Sequence, residues 1–339
     1  MRHRMMLSAL GFLAVAAASS CTTAQVDQSP GDPSTREFGR RPGAGGTYLA
    51  PGGSPPAAAP NASVESLNKI LSSSQLSPID RSVYLSIRAF QLTRLGREVE
   101  SQKDVAEMAR IAPATWTALL ATAASGLAGG GDRAASLRML DSGLTRKPGD
   151  TWLLLGQAEV NMQLADHARA LGLLDNAVAG ASGAGEWQAA LYLRGHANFN
   201  LGNFAQSIDD FDGTLAGRTA LRARMMPALW RYAAQVMAHR DARGALAKAV
   251  SNQNLSEWPG PIAKFLLGQI SAGELEVVAE SDEAAKQSNG KCPTAFFVGI
   301  DALRRGNKQR ARELFQLAQA RCSTVVNVNW AAASELKRL

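Results

Sequence analysis

The chain has 339 residues, a formal net charge of +7 and 46% hydrophobic residues, with three cysteines and four histidines. It is long enough for a substantial core but long for a single one, so an internal repeat is the first feature to look for. The histidines show no paired spacing, which argues against a zinc site and predicts that no metal is bound. They are His3, His167, His196 and His239.

Residues 1–20 have the pattern of an export signal, with a basic start, an apolar run from Met5 to Ala18 and small residues before Cys21. The apolar run is short for a spanning helix of roughly 20 residues, and no later segment offers such a run. Ala18-Ser19-Ser20-Cys21 resembles the lipobox of bacterial lipoproteins, although that family usually has an aliphatic residue such as Leu at the place of Ala18. We predict that Cys21 is lipidated and becomes the mature N-terminus. Ordinary secretory cleavage and a retained anchor are the alternatives.

The segment after the signal, residues 21–62, is rich in Pro, Gly, Ala and Ser and has no apolar periodicity. Such a composition predicts a disordered tether with a reach of about 35 Å. Thr22 is not Asp, so by resemblance to the enterobacterial sorting rule the lipidated protein reaches the outer membrane, where it faces the periplasm. The folded part is then predicted to be residues 63–339.

Turn glycines recur through the folded part, and the clearest unit is ALYLRGHANFNLGNFAQSIDDFDGTLA. Gly195 allows close helix packing, Leu201-Gly202 ends the first helix, and Phe204 opens the second. These are positions of the tetratricopeptide repeat, a helix–turn–helix unit of roughly 34 residues. We therefore predict an all-α tetratricopeptide solenoid of five to six repeats, with a generic helical bundle as the alternative. The predicted repeats lie near 82–115, 117–150, 151–184, 188–221, 226–255 and 292–325.

Two of the cysteines, Cys292 and Cys322, flank the last predicted repeat. Its helices are antiparallel, so the start of the first lies beside the end of the second. In an exported protein this spacing predicts a disulfide. Two free thiols are the alternative.

The region from Leu229 onward resembles the C-terminal half of the NlpI-type tetratricopeptide lipoproteins. The resemblance is carried by LWRYAAQ, EWPGPIAKFLLGQIS, AFFVGIDALRRGNKQRARELFQLA and NWAAASELKRL, in that order. It implies a non-catalytic scaffold on the outer membrane, often dimeric, that brings together peptidoglycan hydrolases or synthases and delivers a hydrolase to a periplasmic protease. The long tether and the cysteine pair depart from the best-known enterobacterial member.

Catalytic motifs are missing from the sequence, which has no H-E-x-x-H, G-x-x-x-x-G-K-[ST], G-x-S-x-G or C-x-x-C. The densest carboxylate group, Asp209, Asp210 and Asp212, lies on a predicted second helix and is expected to be a solvated face. We predict a protein that is not an enzyme and binds no cofactor. An enzyme with an unfamiliar site is the alternative.

A partner-binding groove is predicted on the repeat 188–221. Counted from Gly195 as position 8, the first helix should direct Tyr192, His196, Phe199 and Asn200 into the concave face, and Gln157 and Asn161 should extend it on the preceding repeat. Two aromatic side chains beside two polar ones are typical of an anchor with a polar rim. The alternative is that the aromatic side chains are core.

A basic cluster suggests a second function. Asp241 is the one acidic residue in the stretch of sequence that holds the cluster, so its positive charges are largely uncompensated there. An exported protein does not normally meet nucleic acid, so cell-wall carboxylates, lipid headgroups or acidic proteins are the candidate ligands. A solvated basic face is the alternative. The cluster comprises Arg218, Arg222, Arg224, Arg231, Arg240, Arg243 and Lys248.

Overall fold

The structure, a computed structural model, describes residues 63–217, 224–287, 289–324 and 326–339. These residues form seventeen helices and no strand, which confirms the predicted all-α class. The predicted signal, Cys21 and the predicted tether lie outside the described residues. Among the described helices, none combines the length and apolar character needed to cross a membrane.

Six helical hairpins make up most of the fold, and each consists of a first helix, a short turn and a second helix packed on it. The first helices of the first four hairpins also pack on one another in series. This is the architecture of a tetratricopeptide-type solenoid. The hairpins are α2 (Pro78–Arg94) with α3 (Glu98–Ile111), α4 (Trp116–Gly129) with α5 (Arg133–Arg146), α6 (Thr151–Gln163) with α7 (His167–Gly180), α8 (Ala184–Leu201) with α9 (Phe204–Ala216), α10 (Met225–Met237) with α11 (Ala242–Val250), and α15 (Lys291–Arg304) with α16 (Lys308–Arg321).

The turns of these hairpins share a left-handed residue that ends the first helix. Glycine is favoured there because it has no Cβ to clash at positive φ. Ala165 at φ 60° and His239 at φ 55° adopt the same conformation, so the turn tolerates other residues. The glycines in these turns are Gly96, Gly131, Gly202 and Gly306.

A buried side-chain hydrogen bond recurs between the two helices of three hairpins. In each, a serine hydroxyl of the second helix donates to the backbone carbonyl of the residue twelve positions earlier in the first helix. The bond fixes the register of the hairpin and identifies equivalent positions in different repeats. The pairs are Ser101 to Ala89 at 3.1 Å, Ser136 to Ala124 at 2.7 Å and Ser207 to Gly195 at 2.8 Å.

A shorter helical hairpin lies between the fifth and sixth hairpins, α12 (Gly260–Leu266) followed by α13 (Ala272–Ser281). The segment WPGPIAKFLLGQIS forms its first helix and its turn. Gly268 is left-handed in the turn. Ser271 and Glu274 form a capping box that starts α13. The segment that departs from the repeat template therefore keeps the helix–turn–helix arrangement. The remaining helices outside the six hairpins are α1 (Val64–Leu71), α14 (Glu283–Gln287) and α17 (Asn327–Arg338).

The two cysteines of the last hairpin are joined in a disulfide, with their Cα atoms 4.9 Å apart and a sequence separation of 30. The bond ties the start of α15 to the end of α16, as the antiparallel arrangement predicts. Helix α17 packs on α16, which precedes it, and also on α8, which is far from α17 in the sequence. Sequence reasoning did not predict this return.

Candidate partner-binding face

The first helices of successive hairpins form one surface, which we call the inner face. We mark this surface by one residue on each first helix. The marker residue comes directly after the residue that is equivalent to Ala89, Ala124 and Gly195. Ser125 Oγ lies 3.5 Å from Glu159 Oε2 on the next first helix. The inner face is defined here by Phe90 of α2, Ser125 of α4, Glu159 of α6 and His196 of α8.

His196 lies in the core of the inner face and is only 1% exposed. Its ring meets Tyr192, Phe211 and Trp230 edge to face, with centroids 4.6, 5.2 and 4.4 Å away. Burial lowers the pKa of His196 to about 3, so the ring is neutral at physiological pH. Its Nε2 accepts a hydrogen bond from Asn327 Nδ2 of α17 at 2.9 Å.

The other groove residues predicted on α8 are also mostly buried. Phe199 is fully buried and meets Trp230 and Phe296. Asn200 is buried, whereas Tyr192 is partly exposed. The structure thus corrects the prediction of an open groove here: Phe199 is core, and α17 covers His196 and Asn200.

Gln157 and Asn161 do not extend the inner face, and this prediction is corrected. Gln157 donates to Asp141 of α5 at 2.5 Å, and Asn161 donates to the carbonyl of Gln157 at 2.7 Å. Gln157 and Asn161 fall on the inner face only if Gly156 is the counterpart of Gly195. A Cβ on Gly156 would instead lie 2.8 Å from Leu140 of the preceding hairpin. Gly195 lies seven residues before the left-handed Gly202, so the true counterpart lies seven residues before the left-handed Ala165, at Ala158.

The corrected register reveals a residue that sequence reasoning missed. Glu159 follows Ala158 and holds the place that His196 holds in α8. It is 8% exposed. Burial raises its pKa to about 7, and the hydrogen bond from the Ser125 hydroxyl opposes this shift. The signal that locates it is Asp166, which caps α7 by accepting from the N–H of Arg169 and sets the count back to α6.

Helix α17 covers the inner face at α6 and α8. Trp330 is 6% exposed and joins a buried cluster of α6, α7 and α8 that includes Leu155 and Met162. Arg338 donates to the backbone carbonyls of Phe199 and Asn200. A guanidinium is favourable there because the last carbonyls of a helix lack intrahelical partners.

The inner face is open at α2 and α4. Phe90, Ala121 and Ser125 are partly exposed and Arg94 is exposed. The Arg94 guanidinium lies 5.7 Å from the centroid of the Phe90 ring, a cation–π contact. Small side chains on α4 leave room for an approaching backbone, with an aromatic and a cationic group at one edge.

Carboxylates of the expected solvated face behave differently from one another. Asp210 is buried, bound by Arg194 at 2.7 Å and by Asn198 at 2.9 Å. The expectation of a fully solvated acidic face is therefore wrong for Asp210. In the described part of the chain, no group of three or more His, Cys, Asp or Glu residues could hold a metal ion.

The basic cluster is partly used within the fold. Arg231 pairs with Asp212 and donates to the carbonyl of Ala245. Arg224 and Arg243 donate to the carbonyls of Leu215 and Leu266. These contacts join helices, so the described members form less of a free basic surface than the sequence suggested. Arg218 and Arg222 lie outside the described residues.

The stacked hairpins define the class of the protein, an all-α repeat solenoid. Among solved structures, a tetratricopeptide repeat protein from Parabacteroides merdae is similar over 71% of this chain and 93% of its own, at 20% identity and a TM-score of 0.43. No family model and no curated protein matches the chain.

Proposed function

We propose that the chain is a non-catalytic scaffold that binds segments of other proteins on its inner face. The observation that supports this most is the open half of that face, where α4 exposes small side chains beside Phe90 and Arg94. A repeat solenoid presents such an extended surface to peptide segments or helices of partners.

The proposed setting is the outer membrane, with the lipid anchor at Cys21 and the solenoid facing the periplasm. This rests on the lipobox-like sequence and on the NlpI-type resemblance. The disulfide is compatible with it, because structural disulfides persist in oxidising compartments. The proposed partners are peptidoglycan hydrolases or synthases, a periplasmic protease and a second copy of the chain.

Photo-crosslinking in the native envelope tests the scaffold function. Ser125 on the open inner face is replaced by the photo-reactive amino acid p-benzoylphenylalanine. Lys103, an exposed residue of the second helix α3, is replaced in a matched control. We expect discrete adducts with other envelope proteins from position 125 and few from position 103. Equal adducts from both positions, or none from position 125, would reject the inner face as the binding site.

Metabolic labelling tests the anchor. A palmitate analogue should label the wild-type chain, and the label should be lost in Cys21→Ser. A labelled Cys21→Ser variant, or an unlabelled wild-type chain in the soluble fraction, would reject lipidation at this residue.

Direct binding of anionic cell wall through the basic surface is the alternative function. Exposed Arg240 and Lys248 favour it, whereas the internal contacts of Arg224, Arg231 and Arg243 do not. Co-sedimentation with purified cell walls at low and high salt separates the two functions. Binding through these cations should fall steeply as salt rises, because screening weakens exposed charges.

A further inference from the structure

Helix α17 packs on α16 along one side and on the inner face along another. Its contacts with the inner face are a small set, with polar contacts near its two ends and one buried anchor. Asn327 reaches His196 at 2.9 Å, and Arg338 reaches the carbonyl of Phe199 at 3.0 Å. Trp330 lies between them and is buried in the cluster of α6, α7 and α8. This is how an amphipathic helix binds in a groove, with an aromatic anchor between polar contacts.

The fit between α17 and the solenoid leaves buried polar atoms unpaired. Glu335 is fully buried. Its Oε1 accepts a hydrogen bond from Arg338, whereas its Oε2 has no hydrogen-bond partner. The Nδ2 atom of Asn200, whose carbonyl accepts from Arg338, is also buried without a partner. Unpaired buried polar groups weaken an interface. Burial also raises the pKa of Glu335 to about 7, although Arg338 opposes this.

Release of α17 would uncover part of the hairpin α15–α16, because Ala331 and Ala332 lie in the same core cluster as Phe315. The connection nevertheless leaves that hairpin closed. Cys322, directly after α16, is fixed by the disulfide to Cys292. Five residues, 322–326, separate the end of α16 from the start of α17. The last hairpin is closed by its own covalent bond, so its two helices stay joined when α17 is released.

We propose that α17 is a resident occupant of the inner face at α6 and α8, and that partners gain this half of the face by replacing α17 with a helix of their own. This rests on the proposed scaffold function. The expected partner helix carries an indole at the place of Trp330 and a guanidinium at the place of Arg338. At the place of Glu335 it carries a neutral residue, which removes the buried carboxylate.

A peptide of the chain's own residues 326–339, labelled with a fluorophore, serves as the probe. Its binding to the full-length chain is measured by fluorescence anisotropy at pH 8 for wild type, Trp330→Ala and Glu335→Gln. Trp330→Ala weakens the docking of the chain's own α17 on the inner face, so the face is free more often. This variant should bind the probe at least about tenfold more tightly than wild type. Glu335→Gln strengthens docking and should bind it about threefold more weakly. A probe carrying Trp330→Ala is the matched control and should not bind.

Equal affinity of all three chains for the probe, or the reverse order, would overturn the proposal. Hydrogen exchange of the wild-type chain is a second test that does not depend on a variant folding. The amides of α17 should exchange at least about tenfold faster than those of α15 and α16, because α17 opens separately. Equal protection of α17 and α16 would overturn the proposal. The proposal would also be overturned if the probe bound only as a dimer of the chain dissociated. In that case the helix on the inner face would come from a second copy of the chain.

Failure of this inference is distinguishable from failure of the scaffold function. The probe titration uses only the chain and its own sequence, whereas the crosslinks from position 125 report envelope partners at α4. If α17 proves fixed, partners are still expected at the open half of the inner face.

Discussion

At the scale of single residues, the inner face carries two buried titratable side chains at equivalent positions with opposite behaviour. Burial lowers the pKa of His196 to about 3 and raises that of Glu159 to about 7. The cause is the same in both, because burial disfavours whichever form is charged. Both side chains are therefore close to neutral in a mildly acidic solution, and only Glu159 ionises as the pH rises through neutrality.

Glu159 should make the fold less stable as the pH rises. Its folded pKa of about 7 lies above the ordinary value of 4.5, so its full contribution is present below pH 4.5 and is lost between pH 4.5 and 7. Glu159→Gln removes this loss. Relative to wild type, the variant should gain up to about 3 kcal/mol in free energy of unfolding between pH 5 and pH 8.

Urea unfolding of both chains at the two pH values measures this difference. His196 and Glu335 also titrate, but they are common to both chains and cancel in the comparison. A constant difference between wild type and variant across this range would show that Glu159 is not held neutral in the fold.

The structural role of a residue was predictable from the sequence where a local rule sets it. It was not predictable where the role depends on the helix register. The left-handed turn at Gly202 follows from its place after Leu201, whereas Gly156 offers a false counterpart to Gly195. Gly156 packs against Leu140 of the preceding hairpin, and because that contact is tertiary, only the structure shows that the match is false. The count back from Asp166 gives the correct register for Glu159.

At the scale of elements, glycine and phenylalanine are matched across two of the hairpins. A Cβ on Gly195 would lie 2.9 Å from the Phe211 ring, and one on Gly299 would lie 2.7 Å from the Phe315 ring. In the hairpin α2–α3 the counterparts of Gly195 and Phe211 are Ala89 and the buried Val105. The phenylalanine ring, which is larger than valine, is therefore accommodated by removing a methyl group from the facing helix.

Gly195→Ala should destabilise the fold by about 1–3 kcal/mol through overpacking against Phe211. Phe211→Leu leaves room for the added methyl group, so the double variant should be more stable than the sum of the two single changes predicts. Urea unfolding of the four chains measures the coupling. Simple additivity would mean that the ring and the added methyl do not meet.

The disulfide should stabilise the hairpin α15–α16. Closing a loop with a sequence separation of 30 contributes about 3.5 kcal/mol by the loop-entropy relation. A reducing agent should therefore lower the unfolding temperature of wild type but not of the double variant Cys292→Ser/Cys322→Ser. An unchanged wild-type temperature after complete reduction would contradict a stabilising bond, and non-reducing peptide mapping shows whether the two cysteines are joined.

The hairpins themselves were predictable because each is encoded locally by apolar periodicity and a turn residue. The position of α17 was not, because its contacts with α8 join residues such as Asn327 and His196 that are 131 positions apart. In the sequence, the aromatic residues of α8 were compatible with either a binding groove or a core. Their packing against Trp230, Phe296 and α17 shows that they belong to the core.

At the scale of the whole molecule, one continuous face is divided into an open half and a covered half. The first helices α2 and α4 expose Phe90 and Ser125, and α17 covers α6 and α8. The solenoid thus keeps a free surface and also a second surface that its own helix fills. The central claim is that partner proteins bind along this face and not on the second helices that form the outside.

Hydrogen exchange of the full chain, with and without a partner identified by the crosslinks from position 125, tests this claim most directly. We predict that bound partner slows exchange in α2, α4 and α6 and speeds exchange in α17, while α3, α5 and α7 stay unchanged. Protection confined to α3, α5 and α7, with no change in the first helices, would contradict the account.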